Sequence, residues 1–316
     1  MTISDIISEF GAYYISNAAN MARLVRQLYY GSETDKLLTP YFTDDTIYRA
    51  SESRFARVLQ PFQKAWTPLA NVTFVPVQIQ MFKQKIDTQE YPDDLEGTWL
   101  GFLAGDGIDR KQWPFVRWLV EVHLLPQAKQ DYELNEVYAG SYAAPTPGTA
   151  GAAGTSMDGL KKAINAAITA SRITPQALGT VPTVPEDLVD YLEAFADGID
   201  KRYWNIGMMV GMSQSNERTY KRGLRIKYGR DLDFTGTNAT IKETNLTVVG
   251  LPSMVGANKI WCTPKNNVLQ LSKKTQNQNA VQIDSIDRLI KIFSDWWSGV
   301  GFIIPEIVFT NDQDLS

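Results

Sequence analysis

A single cysteine and a single histidine in 316 residues leave little material for site chemistry. With Cys262 alone no intrachain disulfide can form, and its neighbours Ile260 and Trp261 predict a buried thiol. With His123 alone there is no multi-histidine metal site, and a Ser-His-Asp arrangement has one solitary candidate base. His123 stands between Val122 and Leu124 in an apolar helical pattern, which predicts packing rather than proton transfer. No run of about 18 apolar residues occurs, so no transmembrane helix is expected. The N-terminal MTISDIISEF carries an acid where a secretory signal has basic residues and an apolar run. The Asn-X-Thr triplets at Asn71, Asn238 and Asn245 therefore read as strand and turn residues. A net charge of −4 argues against general nucleic-acid binding. The Gly/Ala/Pro-rich stretch after Gly140 lacks the Gly-Lys-Ser/Thr ending of a phosphate cradle, and no cofactor is expected.

What is present is apolar surface, with 44% hydrophobic residues, enough for two lobes or for one lobe with long extensions. The richest stretch is 111–140, where Trp113, Val116, Val120 and Leu124 recur at helical spacing, as do Phe115, Leu119 and Val122. Pro114 suits the first turn of this helix, whereas Pro126 is expected to kink or split it. Unbroken, such a spine spans roughly 40 Å at 1.5 Å per residue.

Around the spine the pattern divides. Residues 3–30 read as a first helix, with Ile3, Ile7, Phe10 and Tyr14 on one stripe and Gly31 as its stop. Residues 44–70 are mixed, with scattered aromatics and arginines. Val75, Val77, Ile79 and Met81 then alternate with polar residues as in a one-sided strand, and Pro76 restricts that strand to an edge or a hairpin arm. Asp93, Asp94 and Glu96 follow Pro92 and read as a helix start. Helices are expected over 157–168 and 185–204. Short strands broken by Pro, Gly and Asn run from about 227, and the last apolar run reads as a hairpin or one long bent strand around Trp296 and Gly299. One segment departs from the overall charge: Arg218, Lys221, Arg222, Arg225, Lys227 and Arg230 face only Glu217. It reads as a contact to phosphate or to an acidic neighbouring subunit, or as a solvated face.

The succession of these elements resembles the major capsid proteins of tailed bacteriophages, the HK-ninety-seven-type capsid fold. The residues that carry the resemblance are the extended strand NVTFVPVQIQMFKQKID, the helix start YPDDLEGTWLGFL, the spine with its end YELNEVYAG, the helix MDGLKKAI, and the closing strands KIWCTPKNNVLQLSK and RLIKIFSDWWSGVGFIIPEIVF. The resemblance covers about 44–309 and rests on order rather than on a signature motif. It implies an α+β phage capsid fold with an N-terminal arm (1–43), an extended β-hairpin loop (44–87), a peripheral domain with the spine helix (88–149 and 276–316), and an axial domain (150–275). It further implies a subunit, not an enzyme, that self-assembles into hexamers and pentamers of a head enclosing double-stranded DNA. The shell would be assembled in the bacterial cytoplasm with portal, scaffolding and decoration proteins as partners, and without a membrane.

On this reading Arg49, Arg54, Arg57, Phe62, Trp66 and Phe74 are expected to contact neighbouring subunits, local core packing being the other reading of the aromatics. Trp113, Trp118 and Pro126 mark the spine, and a bend at Pro126 is expected to serve shell maturation. Arg218, Lys221, Arg222 and Arg225 form the candidate basic contact. Some 43 residues precede the loop, so a long cleaved scaffolding segment is not expected within this sequence unless the chain is already processed. Two alternatives remain: a minor head or tail component, or a carbohydrate-active hydrolase suggested by eight Trp, fourteen Tyr and the Asp93/Asp94/Glu96 cluster.

Overall fold

A computed structural model describes residues 3–15, 19–20, 23–24, 33–54, 59–68, 73–106, 113–229, 239–275 and 281–315. Two sheets and a long helix organise them. The helix, α3, runs over 115–136 and follows α1 (Ile3–Phe10) and α2 (Pro92–Asp106) in the chain. At 1.5 Å per residue its axis is about 33 Å long. Helix α1 passes into an i→i+5 turn over Gly11–Ile15, and 19–20 and 23–24 are again helical. Gly31, the expected stop, lies outside the described residues.

Pro126 does not split the spine as expected. The helix continues through it, with Leu124 and Leu125 both in right-handed helical geometry. The reason is local: Leu119–Leu124 is wound as a π-helical segment, and the Leu125 N–H donates to the Val120 carbonyl five residues back. A wider turn in front of a proline absorbs both the missing donor and the crowding of the carbonyl four residues earlier. A second π segment, Tyr132–Glu136, ends the helix. Just beyond it, an added Cβ at Gly140 would collide with the Glu136 carbonyl, so only glycine fits there.

The first sheet is built on one 14-residue strand, β11 (Leu289–Phe302), not on a hairpin at Trp296. Its first half is flanked by β10 (Gln282–Ile286) and β4 (Phe82–Glu90), both antiparallel. Its second half pairs with β9 (Val268–Ser272), which in turn pairs in parallel with β1 (Thr39–Phe42). The second sheet has the order β12 (Phe309–Thr310), β8 (Trp261–Pro264), β5 (Met208–Ser213), β7 (Leu246–Leu251), β6 (Ala239–Thr240). Helices α5 (Pro185–Asp197) and α6 (Gln214–Tyr228) pack on it, and the shorter α4 (Leu160–Thr169) lies between the sheets. Ser213 caps α6 by accepting from the Asn216 N–H at 3.3 Å. Val189 meets Gly223 where α5 and α6 cross, too close for any Cβ on α6.

This pairing crosses the boundary expected near 275. Strand β9 belongs to the first sheet although it precedes that point, and β12 returns to the second although it follows it. Strand pairing decides membership here, and chain order does not report it. Similarly, the period-2 pattern of 75–87 is one run in the sequence but serves two elements. Thr73–Gln80 forms a separate two-stranded ribbon, and from Phe82 the same alternation enters the first sheet.

Cys262 is fully buried, as its neighbours predict, and burial pushes its thiol up to about 12. His123 is exposed instead of packed into the core, with its ring edge-on to Trp118 at 4.5 Å. Asn245 lies in an exposed turn, while Asn71 and Asn238 fall outside the described residues.

Candidate assembly surface

Two strands leave the body of the protein, β2 (Ile47–Arg54) and β3 (Thr73–Gln80). They form an antiparallel ribbon in register from Ile47↔Gln80 to Arg54↔Thr73, with no third strand among the described residues. Such a ribbon is marginal in water without a partner. Pro76 sits opposite Ser51, a place open to proline because one side of the strand has no neighbour.

The base of the ribbon is anchored. Ile79 and Met81 are buried against Leu269 and Leu271, with Tyr48 and Trp297 packed around them. This contact requires β11 to carry glycines: a Cβ at Gly299 would stand 2.5 Å from the Gln80 carbonyl oxygen, and one at Gly301 2.8 Å from Ile79. Arg172 ties the ribbon again, donating to the Pro76 carbonyl at 3.4 Å while its Nε holds Glu306 at 2.5 Å.

The far end is the opposite. Residues 59–68 are exposed without exception. Phe62 and Trp66 each keep 92% of their surface in water, and Phe74 keeps 67%. The tip nevertheless has internal order, since Gln60 donates to the Thr67 carbonyl at 2.7 Å and Gln63 donates to the Thr67 hydroxyl. Local core packing is therefore excluded for Phe62 and Trp66 within this chain. Arg49 is exposed on β2; the Arg54 side chain and all of Arg57 lie outside the described residues.

The spine residues behave differently. Trp118 is buried among Phe102, Phe115 and His123. Trp113 is half-buried beneath the Arg117 guanidinium, 4.0 Å from its ring centre. Pro126 is exposed. Glu121 on the same helix gathers the N-terminal segment: it accepts from Tyr14 at 2.9 Å, Arg23 at 2.9 Å and Arg117 at 3.2 Å. Burial beside that carboxylate raises the Tyr14 phenol well above its ordinary range.

Sequence reasoning missed a second carboxylate on this helix. Glu133 is buried and accepts from the Thr34 hydroxyl (2.6 Å), the Thr34 N–H (3.2 Å) and the Ser253 N–H (3.1 Å). It joins the N-terminal segment, the spine and the loop leaving β7. Nothing in a lone glutamate in a polar helix end signals this. Asp93 and Asp94, in contrast, occupy the first turn of α2, as the helix-start reading has it, with Glu96 in the turn after. Among the described residues no group of three or more His, Cys, Asp or Glu side chains is placed to hold a metal ion, and no helix is long and apolar enough to cross a membrane.

The basic segment lies on α6 except for Arg230, which falls outside the described residues. Lys221 pairs with Glu217 at 2.7 Å, and Lys227 with Asp190 and Glu193 on α5. Arg218, Arg222 and Arg225 stay exposed. They fall within about 60° of one another at 100° per residue, so they form one stripe.

No sequence-family model matches the chain, and no curated protein sequence matches it. Solved structures do match. A chain of the satellite phage P4 procapsid, a particle that includes the size determination (Sid) protein, superposes with a TM-score of 0.60 over 92% of this chain and 88% of that one, at 8% identity. The capsid of an empty GTA particle supplies a second, with a TM-score of 0.50 over 90% of this chain and 97% of that chain, at 10% identity. The chain has a phage capsid fold. The match covers 92% of the chain, so the α+β capsid fold expected from the order of elements is the fold found. At 8–10% identity, what persists is the layout of elements, with nearly every side chain exchanged.

Proposed function

We propose that this protein is a major capsid protein, a shell subunit of a tailed-phage head that self-assembles into hexamers and pentamers around double-stranded DNA. The observation that carries the reading is the ribbon of β2 and β3: anchored at its base, unpaired along its edges among the described residues, and tipped by two aromatics 92% exposed. A monomer that leaves Phe62 and Trp66 in water forgoes about 2–3 kcal/mol for each. A neighbouring subunit lying under the arm recovers it, together with the free strand edges. Phe74 and Arg49 extend the same contact toward the base, and Arg54 and Arg57 belong to it on the sequence reading. The lobe with the spine then serves as the peripheral domain and the lobe of the second sheet as the axial domain. Portal, scaffolding and decoration proteins and packaged DNA are the expected partners, with assembly in the bacterial cytoplasm.

The test is assembly of the purified chain, with or without its scaffolding partner, followed by sedimentation and electron microscopy. Phe62→Ala with Trp66→Ala should abolish closed shells and leave the thermal midpoint of the subunit unchanged, because neither side chain is packed in the chain. Shells at wild-type yield from that variant would refute the arm contact. A wild-type chain that stays monomeric under every condition, scaffold included, would refute the capsid reading.

A further inference from the structure

Helix α6 carries five bases and one acid over Gln214–Tyr228, in a chain whose net charge is −4. Its lysines and its arginines are used differently. Lys221 is held by Glu217 at 2.7 Å, and that carboxylate packs against the backbone of Gly250 on β7. Lys227 is held by Asp190 and Glu193 of α5. Arg218, Arg222 and Arg225 are exposed and make no hydrogen bond or ion pair with a described residue. Cations elsewhere on the lobe show the contrast. Beside its cavity of about 490 Å³, Lys201 lies over the Trp204 ring at 5.9 Å from the centre and Lys242 over Tyr228 at 4.5 Å.

The free arginines also point one way. Tyr220 and Leu224 are buried and stand about 160° round the helix from Arg222, one on either side, so Arg222 projects straight away from the lobe. Arg218 and Arg225 lie within about 60° of it. The three form a crest about 10 Å long at 1.5 Å per residue, the axial length of three or four phosphates of one DNA strand. A protein partner needs apolar or aromatic anchors at the centre of its contact. Here only Ile226, 56% exposed, stands near. Phosphate needs charge and a forked donor, and guanidinium supplies both.

We infer that the crest of Arg218, Arg222 and Arg225 binds the sugar-phosphate backbone of nucleic acid without regard to sequence. The binding belongs to the folded subunit and needs no neighbour. Net charge points the other way because it sums the whole chain, whereas charges beyond about 10 Å are screened at 0.1 M salt. Glu186 and Asp187, exposed in the first turn of α5, hold the affinity down, so a single contact is weak and salt-sensitive. Repetition over a shell multiplies weak contacts. One consequence rests on the shell reading above: the crest turns α6 toward the enclosed DNA and so gives the second lobe an inner side.

The experiment is fluorescence anisotropy of the purified full chain with a labelled duplex of about 20 base pairs, from about 25 to 200 mM salt. Wild type should bind with a log–log salt slope of about −2.7, from three phosphates at 0.9 each. Arg218→Gln, Arg222→Gln and Arg225→Gln together should weaken binding at least tenfold at the lowest salt and bring the slope near zero, with circular dichroism showing the fold intact. Lys64→Gln, Lys85→Gln and Lys201→Gln together make the same change of charge at exposed positions off the crest and should stay within about twofold of wild type. No binding by wild type, an unchanged slope, or equal losses in the two triple variants overturns the proposal. The arginine variant should also assemble like wild type. Failure to assemble would make the crest a contact to an acidic neighbour and overturn the proposal as well. A wild-type chain that binds through the crest yet forms no shell would instead overturn the capsid reading, so the two failures are told apart.

Discussion

Lys259 gives a quantitative test of how the second lobe is closed. Its side chain is 0% exposed, and its ammonium donates to the Gln313 carbonyl at 2.7 Å. The backbone N–H groups of Asn258 and Lys259 donate to Asp314 at 2.7 and 2.9 Å, so the C-terminal residues are clasped around it. Burial, opposed by Asp314 and reinforced by Lys161, pulls the ammonium down from 10.5 to about 8. The unfolded chain then holds a proton that the folded chain has released throughout the window from pH 8 to 10.5, so stability rises with pH across it. From pH 7 to 9.5 the gain from this one group is about 2 kcal/mol at 1.36 kcal/mol per unit. Cys262 works against it. Its thiol ionises near 9.0 when unfolded and near 12 when folded, so it removes stability as pH rises above 9. The difference between wild type and Lys259→Met isolates the lysine. In urea titrations at pH 7 and 9.5, wild type should gain about 2 kcal/mol relative to Lys259→Met. Parallel stability profiles of the two proteins would refute the reasoning.

Two further perturbations probe the joints of the fold. Glu133→Ala removes the acceptor for three donors, one hydroxyl and two backbone N–H groups, and should cost about 3 kcal/mol by denaturant unfolding. Glu133→Gln, which keeps one acceptor oxygen, should cost less. Gly299→Ala places a methyl group against the Gln80 backbone and should destabilise by about 2 kcal/mol, with hydrogen exchange rising at 79–81 before it rises in the second sheet.

The sequence was most informative where a periodic pattern met a single environment. The spine was legible because Phe115, Val116, Trp118 and Val120 are all buried on one element, and α5 because Pro185, Glu186 and Asp187 open it. The arm was legible in part. Alternation through Val77 and Ile79 marked a strand and Pro76 marked an edge, but alternation is the same in a ribbon and in a sheet, so the passage from β3 into β4 left no trace. The π segment that carries the spine past Pro126 was not legible either, since its cause is an accommodation of backbone geometry and not a residue type. The residues proposed for assembly divide the same way. Exposure of Phe62 and Trp66 cannot be read from a mixed stretch, because an aromatic looks alike in a core and at a tip. The cavity beside Trp204 draws its walls from α5, the turn over 199–204, β5, α6 and the residues leading into β7, segments that only the folded lobe brings together.

The arm combines features that are in tension within one chain. Its base makes contacts that tolerate no added atom, with Gly299 and Gly301 holding β11 against 79–81. Its tip is tied within itself through Gln60, Gln63 and Thr67. A surface loop serving only as a connection needs neither the anchored base nor the aromatic tip, and exposed aromatics on a free ribbon invite aggregation. A subunit that must meet neighbours at slightly different angles needs both. On the shell reading proposed above, the base fixes where the arm leaves the body and the tip is the surface that meets a neighbour. If that division holds, Gly299→Ala should disturb shell geometry at the level of the angle between subunits, giving particles of mixed size. Phe62→Ala with Trp66→Ala should remove the adhesion itself, giving no particles. Uniform wild-type particles from Gly299→Ala, in a protein destabilised by the full amount, would mean that the base sets stability alone and takes no part in the angle of assembly.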